Sequence, residues 1–154
     1  MQHGEKNPMD GKASVLHDIK LHVRLRLSAL WASLMFCYVY GDYFGLYTPG
    51  MLQQMLEGRM GPLGAATQGV LLGTAAMMAI PSLMVALSLL LPAAVARWAN
   101  IVLGVVYAAI ILLTLPGAWI FYIFFGVIEI GLSALIVGYA WRWPRSVPEP
   151  GAQR

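Results

Sequence analysis

Two carboxylates lie inside apolar stretches of this 154-residue chain and are its clearest candidates for chemistry. Glu129 is the only charge in residues 119–141, a run long enough to cross a bilayer as one helix. An ionisable side chain at that depth costs at least about 2.5–3.5 kcal/mol on insertion scales, so it usually faces a protein interior and serves a function. Asp42 lies towards the end of another apolar run, among several tyrosines. Carboxylates in such positions bind ions, protons or small ligands.

Each carboxylate also has a purely structural interpretation. Glu129 would be a protonated carboxyl that a tyrosine or another hydroxyl satisfies, because apolar surroundings disfavour the charged form. Asp42 would cap or hydrogen-bond tyrosines at the membrane boundary. The sequence leaves the functional and the structural alternative open for both residues.

Four apolar segments must position these residues, and each is long enough for a transmembrane helix. Hydrophobic residues make up 59% of the chain and charged residues 11%, whereas a soluble domain has about a quarter charged residues. Prolines and glycines separate the segments. The sequence therefore predicts an all-α membrane protein, a bundle of four transmembrane helices at residues 25–47, 66–91, 95–115 and 118–141.

The distribution of basic residues predicts the orientation. All of them except Arg59 flank the first segment on its N-terminal side, occupy the second connection or follow the last segment. The positive-inside rule then places both termini and the second connection in the cytoplasm, as in a multi-pass protein of the bacterial inner (plasma) membrane. Tryptophans would form an aromatic belt near the ends of the segments. They are Trp31, Trp98, Trp119, Trp141 and Trp143.

Three regions follow from this pattern: a basic N-terminal segment at 1–26, a transmembrane domain at 27–143 and a disordered tail at 144–154. Residues 19–27 alternate between apolar and polar types, which is typical of a strand. A lone strand at a bilayer would leave its backbone groups unpaired, so we predict a basic helix at about 12–26 on the cytoplasmic surface. Residues 51–57 predict a short helix in the first loop.

Depth along each segment predicts the neighbours of Glu129. A rise of about 1.5 Å per residue from the segment centres places Pro81, Tyr107 and Glu129 near the midplane, with Tyr38 and Ser82 beside them. Tyr38 and Tyr107 would orient the carboxyl or stack on a ligand. Pro81 would also free a backbone carbonyl at this depth.

Other polar residues extend this layer. Asp42 is expected about 8 Å nearer the outer face, at the level of Thr74 and Tyr122. Asn100 lies on the same face of its helix as Tyr107, because seven residues make two helical turns. The predicted ligand or proton site consists of Glu129, Asp42, Tyr38 and Tyr107, supported by Ser82, Thr74, Tyr122 and Asn100.

Several kinds of chemistry have no support. The chain has no phosphate-binding loop, dinucleotide fingerprint, zinc signature or lipase elbow. Its three histidines precede the first apolar segment, so no membrane haem has ligands. We therefore predict no catalytic residue, metal or cofactor. An enzymatic role is less favoured than a non-enzymatic one, and nucleic-acid binding is not expected.

Two stretches carry a resemblance to known proteins. They are LWASLMFCYVYGDYFGLYTPG at 30–50 and FYIFFGVIEIGLSALIVGYAWRW at 121–143. The chain resembles an uncharacterised family of small bacterial four-span membrane proteins, which implies a four-helix membrane protein and no particular activity. It is also loosely similar to small multidrug transporters, which are four-span and use one membrane glutamate. Theirs is in the first span, whereas Glu129 is in the fourth.

Three functions remain open. The first is binding or proton-linked transport of a small amphipathic or cationic ligand at Glu129, in a homodimer because four short helices enclose little volume. The second is a non-catalytic accessory subunit of a larger membrane complex. The third is a small membrane enzyme acting on lipid through Asp42 and Glu129, which their offset in depth argues against. Expected partners are membrane lipid, a second copy or larger complex, and a small molecule.

Overall fold

The computed structural model describes residues 20–144, and most of them are helical. Among these residues there is no strand, only an isolated bridge between Arg59 and Ala65. The prediction of an all-α protein is confirmed. In chain order the helices are α1 (Val23–Gly45), α2 (Met51–Leu56), α3 (Gln68–Leu90), α4 (Ala93–Thr114) and α5 (Ile120–Trp141), with a 3-10 turn at Gly61–Leu63 between α2 and α3.

Three of these helices, α3, α4 and α5, are long and apolar enough to cross a membrane. This length and composition identify a membrane protein. The helix α1 is equally long but less apolar, since it carries Arg24 and Arg26 near one end and Asp42 near the other. The limits of the four long helices lie within two residues of the predicted segments.

The start of α1 corrects one prediction. Residues 20–22 are not helical, so the single basic helix predicted over 12–26 is wrong at that point. His22 has an extended backbone, and its imidazole Nδ1 accepts a hydrogen bond from the Arg24 amide at 3.3 Å. A residue in this role is an N-cap: its own backbone is extended, and the helix begins at the next residue. Residues 12–19 and the predicted tail beyond residue 144 lie outside the described residues.

The long helices alternate in direction, so the basic residues within 20–144 lie at one end of the molecule, with the exception of Arg59. We call it the basic end, and the opposite end, where α2 lies, the α2 end. The Arg24 guanidinium donates to the carbonyls of Leu89 and Leu91, at 2.7 Å each, and so satisfies the last turn of α3. Arg97 donates to the Ala140 carbonyl at 3.3 Å, at the last turn of α5. Each arginine supplies donors to carbonyls that have no partner within their own helix.

Packing between the helices is uneven. The helix α1 lies against α3 and α5, and α4 lies along α5. Of the four neighbouring pairs of long helices, α3 and α4 are the least closely packed. Buried residues concentrate in the half of the molecule nearer the basic end, where α1 buries Leu27, Trp31 and Leu34. In α3 the buried residues begin at Pro81, and none is found over 68–80. The half nearer the α2 end is therefore more loosely packed.

Two glycines permit close contact between α4 and α5. A Cβ atom on Gly104 would lie 2.8 Å from Cγ2 of Val137, and one on Gly126 would lie 2.6 Å from Cδ2 of Leu115. Both distances are shorter than real carbon–carbon contacts. Glycine at these positions lets the two backbones approach, as small residues do at membrane helix interfaces.

Replacing Gly104 by leucine should destabilise the protein by about 1–3 kcal/mol, because the added side chain overpacks the contact with the stiff, β-branched Val137. Thermal unfolding of the purified chain in detergent measures the effect. Gly131→Leu is the matched control, since nothing lies within 4 Å of a Cβ at that position of α5. Equal stability of the two variants would contradict the close packing described here.

Candidate functional site

Near the middle of the long helices, a tyrosine on α4 bonds to a backbone carbonyl of α3 that a proline has freed. Pro81 has no amide hydrogen, so the carbonyl of Met77, four residues earlier, loses its helical partner. The hydroxyl of Tyr107, on α4, donates a hydrogen bond to that carbonyl. The freed carbonyl agrees with the sequence prediction. The bond also assigns the Tyr107 hydroxyl to the backbone of α3 rather than to Glu129.

The ring of Tyr107 is held by two aromatic neighbours on α1. It meets Trp31 edge to face, with ring centres 6.1 Å apart and an angle of 87° between the planes. It meets Tyr38 at 6.3 Å and 37°. Such offset and edge-on pairs are the favourable arrangements for aromatic rings. Tyr107 therefore connects α1, α3 and α4 and is only 4% exposed.

Glu129 lies inside the molecule, with 7% of its surface exposed. It lies on the buried face of α5, where the buried residues recur every three or four positions: Gly126, Glu129, Ser133, Ile136 and Ala140. Among residues 20–144 no side chain or backbone group makes a hydrogen bond to its carboxyl. Tyr38 and Asp42 both lie within electrostatic range of Glu129.

Tyr38 is a second buried polar group without a partner. Its ring packs on Tyr107, but its hydroxyl is inaccessible to solvent and has no hydrogen bond within the described part of the chain. Most buried polar groups in proteins are hydrogen-bonded, and the exceptions often mark a site for a ligand, ion or water. The hydroxyls of Tyr38 on α1 and Ser133 on α5 are two such exceptions within residues 20–144, and Ser133 follows Glu129 by one helical turn.

Asp42 follows Tyr38 by one helical turn on α1, towards the α2 end, but it is exposed. Within residues 20–144 the only ion pair joins Arg59 and Glu57, at 3.6 Å, so Asp42 has no described cationic partner. Its place between the exposed surface and Glu129 suits a residue at the mouth of a site rather than inside it.

Three of the predicted supporting residues make local bonds and none to Glu129. Ser82 and Thr74 each donate to the carbonyl four residues earlier in α3, at 2.9 Å. The Tyr122 hydroxyl donates to Thr114 at 3.1 Å, across the turn between α4 and α5. Each of the three hydroxyls therefore donates its hydrogen bond to a group other than Glu129.

The fourth supporting residue, Asn100, belongs to a separate cluster nearer the basic end. Its side-chain oxygen accepts hydrogen bonds from the Trp31 indole at 2.7 Å and from the Ser88 hydroxyl at 3.2 Å. Its amide nitrogen donates to the Ala96 carbonyl at 2.7 Å. The Asn100 side chain is fully buried and joins α1, α3 and α4. Because its oxygen and its nitrogen are both hydrogen-bonded, we interpret this cluster as a structural link between the helices.

Sequence reasoning missed Trp31 and Ser88 as members of this cluster, because Trp31 was assigned to the aromatic belt. The signal that could have found it is its position between Leu27 and Leu34 on the buried face of α1, since a buried indole nitrogen needs an acceptor.

The described residues offer no metal site, because no three of their histidine, cysteine, aspartate and glutamate side chains lie together. The arrangement around Glu129 provides one carboxyl, one free hydroxyl and aromatic faces. It suits a proton, a water molecule or an organic cation, which an aromatic face also attracts.

Comparison with known proteins gives the family. The model of a family of unknown function, DUF6326, matches residues 16–148. The chain belongs to this family. The match includes both stretches that carried the resemblance, and it confirms membership of an uncharacterised family. Neither a curated protein nor a solved structure matches the chain.

The bond from Tyr107 to the Met77 carbonyl predicts a coupling with Pro81. Tyr107→Phe should cost about 1 kcal/mol of unfolding free energy, because the freed carbonyl loses its donor. In a Pro81→Ala background the cost should nearly vanish, because the alanine amide can bond to the same carbonyl. A double-mutant cycle of unfolding in detergent measures this coupling, and additive effects of the two changes would contradict it.

Proposed function

We propose that the protein binds a small amphipathic or cationic ligand at Glu129 and exchanges it for a proton, as a ligand-binding or proton-linked transport protein. The observation that supports this most is the buried Glu129 side chain, whose carboxyl makes no hydrogen bond within residues 20–144 and lies within electrostatic range of the unsatisfied Tyr38 hydroxyl. A group that only stabilised the packing would be expected to have its hydrogen bonds satisfied, as Asn100 does.

The proposal includes a topology. We infer that α1 is the fourth membrane-spanning helix of a four-helix bundle, because it packs along α3 and α5 and its charges stand near its ends. The basic end would face the cytoplasm, with both termini, in a bacterial inner membrane. Hydrogen bonds from α1 to α3 support this placement: Ser28 donates to the Val85 carbonyl at 2.7 Å, and Arg24 to the end of α3.

The uneven packing suggests the side from which a ligand arrives. No residue over 68–80 of α3 is buried, whereas Pro81, Met84 and Ser88 are. Glu129 therefore lies at the boundary between the tightly packed half and the open half. A ligand would enter from the α2 end, pass Asp42 and stop on the α2 side of the bond between Tyr107 and α3.

At the site, the cation would pair with the ionised carboxyl and lie against aromatic faces. Tyr38 would donate its free hydroxyl to the carboxylate or to the ligand. One carboxyl cannot bind a cation and a proton at the same time. Binding of the ligand is therefore linked to release of the proton. A homodimer would enclose more volume around the ligand than one chain can.

The two alternatives have less support. An accessory subunit would need a docking surface for its complex, but the close-packing glycines Gly104 and Gly126 face Val137 and Leu115 of the same chain. A lipid enzyme would use Asp42 and Glu129 together. The two interact electrostatically, yet Asp42 is exposed and Glu129 is buried.

Equilibrium binding of tetraphenylphosphonium, an amphipathic cation, to the purified chain in detergent tests the proposal. Wild type should bind it, and binding should weaken as the pH is lowered because protons compete for the carboxyl. Glu129→Gln should lower the affinity at least about ten-fold, or ~1.4 kcal/mol, and remove the pH dependence. The same measurement in liposomes with an imposed pH gradient separates transport from binding.

The chain offers a matched control in Glu57→Gln, which makes the same chemical change at an exposed loop residue. It should bind like wild type. Binding that is unchanged in Glu129→Gln would exclude the proposed site. A large partner that co-purifies in fixed ratio, with no cation bound, would favour the accessory role instead.

A further inference from the structure

A second feature lies on the opposite side of the α4–α5 pair from the polar layer. A groove of about 730 Å³ runs between the two helices on their outward surface. Its floor consists mostly of small residues, which keep it free of bulky side chains. They include Gly104 and Ala108 on α4, and Ala134 and Gly138 on α5.

The groove begins at the basic end and reaches past the middle of the helices. On α5 its lining runs from Ile130 to Trp141 and Arg142, and on α4 it runs from Gly104 to Leu112, beyond Tyr107 towards the α2 end. The α5 part alone corresponds to a rise of about 18 Å, and one leaflet of the hydrocarbon core is about 15 Å thick. The groove is therefore long enough for one acyl chain that enters from the leaflet at the basic end.

The mouth of the groove is positively charged. Arg142 lines it, and Arg97 is held at the same helix end by its bonds to the carbonyls of Ala140 and Trp141, at 3.3 and 3.5 Å. The carboxylates within residues 20–144 are Asp42, Glu57 and Glu129, and none of them is at this end. Arg142 makes no ion pair with any described residue.

We propose that this groove is a binding site for one anionic phospholipid of the leaflet at the basic end. An acyl chain lies along the small residues between α4 and α5, and the phosphate pairs with Arg142 beside Arg97. The Trp141 indole, which is 62% exposed, lies at the level of the lipid carbonyls, as interfacial tryptophans do. The site requires the membrane-spanning placement of α4 and α5 and is independent of any ligand at Glu129.

The charge at the mouth favours a lipid over a helix from a second copy. Two copies related by an axis along the membrane normal would bring two basic mouths together, and like charges repel, whereas an anionic headgroup is attracted.

Native mass spectrometry of the full chain, released from micelles with added phosphatidylglycerol or phosphatidylcholine of identical acyl chains, tests the site. We expect preferential retention of one phosphatidylglycerol. Arg142→Gln should reduce this retention about five-fold, the contribution of one arginine near an anionic headgroup. Ala134→Leu should reduce retention of both lipids, because leucine fills the groove.

Each variant has a control in the same chain. Arg59→Gln removes an arginine at the α2 end, and Ala86→Leu adds the same side chain at an exposed position of α3 outside the groove. Both should retain phosphatidylglycerol like wild type. Thermal unfolding in detergent checks that Ala134→Leu folds, and Arg142→Gln tests the site at an exposed position that tolerates substitution.

Other outcomes would overturn the proposal. Equal retention of the two lipids, or loss with the controls as well, would show that no anionic lipid site exists here. A change of oligomeric state in Ala134→Leu, without a change in bound lipid, would assign the groove to a second copy.

Discussion

A backbone carbonyl that loses its helical partner inside a membrane has to find another donor, because no water is there to replace it. Pro81 creates that need at Met77, and Tyr107 meets it from the neighbouring helix. This bond joins α3 and α4, the least closely packed of the four neighbouring pairs of long helices. It also fixes the ring of Tyr107 against Trp31 and Tyr38. With the Tyr107 hydroxyl bonded to the backbone, Glu129, Tyr38 and Ser133 remain as polar side chains that make no hydrogen bond within the described chain.

The molecule thus has two polar layers of different character. At Asn100 a tryptophan, a serine and a backbone carbonyl bond both polar atoms of one amide, and that layer holds three helices together. Near Glu129 the hydroxyls of Tyr38 and Ser133 are buried without partners, and no residue over 68–80 of α3 is buried. Tight packing towards the basic end and looser packing towards the α2 end would give a small ligand a floor and an entrance.

Much of this organisation could be predicted from the sequence. Apolar length predicted the four long helices within two residues, and the single charge in the last apolar run predicted that Glu129 faces inward. The prediction that Pro81 frees a backbone carbonyl is also confirmed, because the Met77 carbonyl accepts its bond from Tyr107. These successes have one cause: a helix in a membrane satisfies its own backbone, so length, period and rise determine where each residue lies.

The remaining features depend on contacts between helices, which rise and period do not specify. Tyr107 was expected to orient the Glu129 carboxyl or to stack on a ligand, and its hydroxyl instead bonds to Met77. The sequence does not show which acceptor lies within reach of a hydroxyl. The role of Arg24 at the end of α3 depends on which helices are neighbours. The break at residues 20–22 follows from the capping bond of His22, which competes with continuation of the helix.

The central claim is that Glu129 and Tyr38 form an unfilled polar site that a cation occupies. Isotope-edited infrared spectroscopy of the chain, with labelled glutamate and Glu129→Gln to assign the band, observes that carboxyl directly. The account predicts that the Glu129 carboxyl band changes when tetraphenylphosphonium is added, and that Tyr38→Phe alters the band of the bound state. A Glu129 band that is the same with and without the cation would contradict the account.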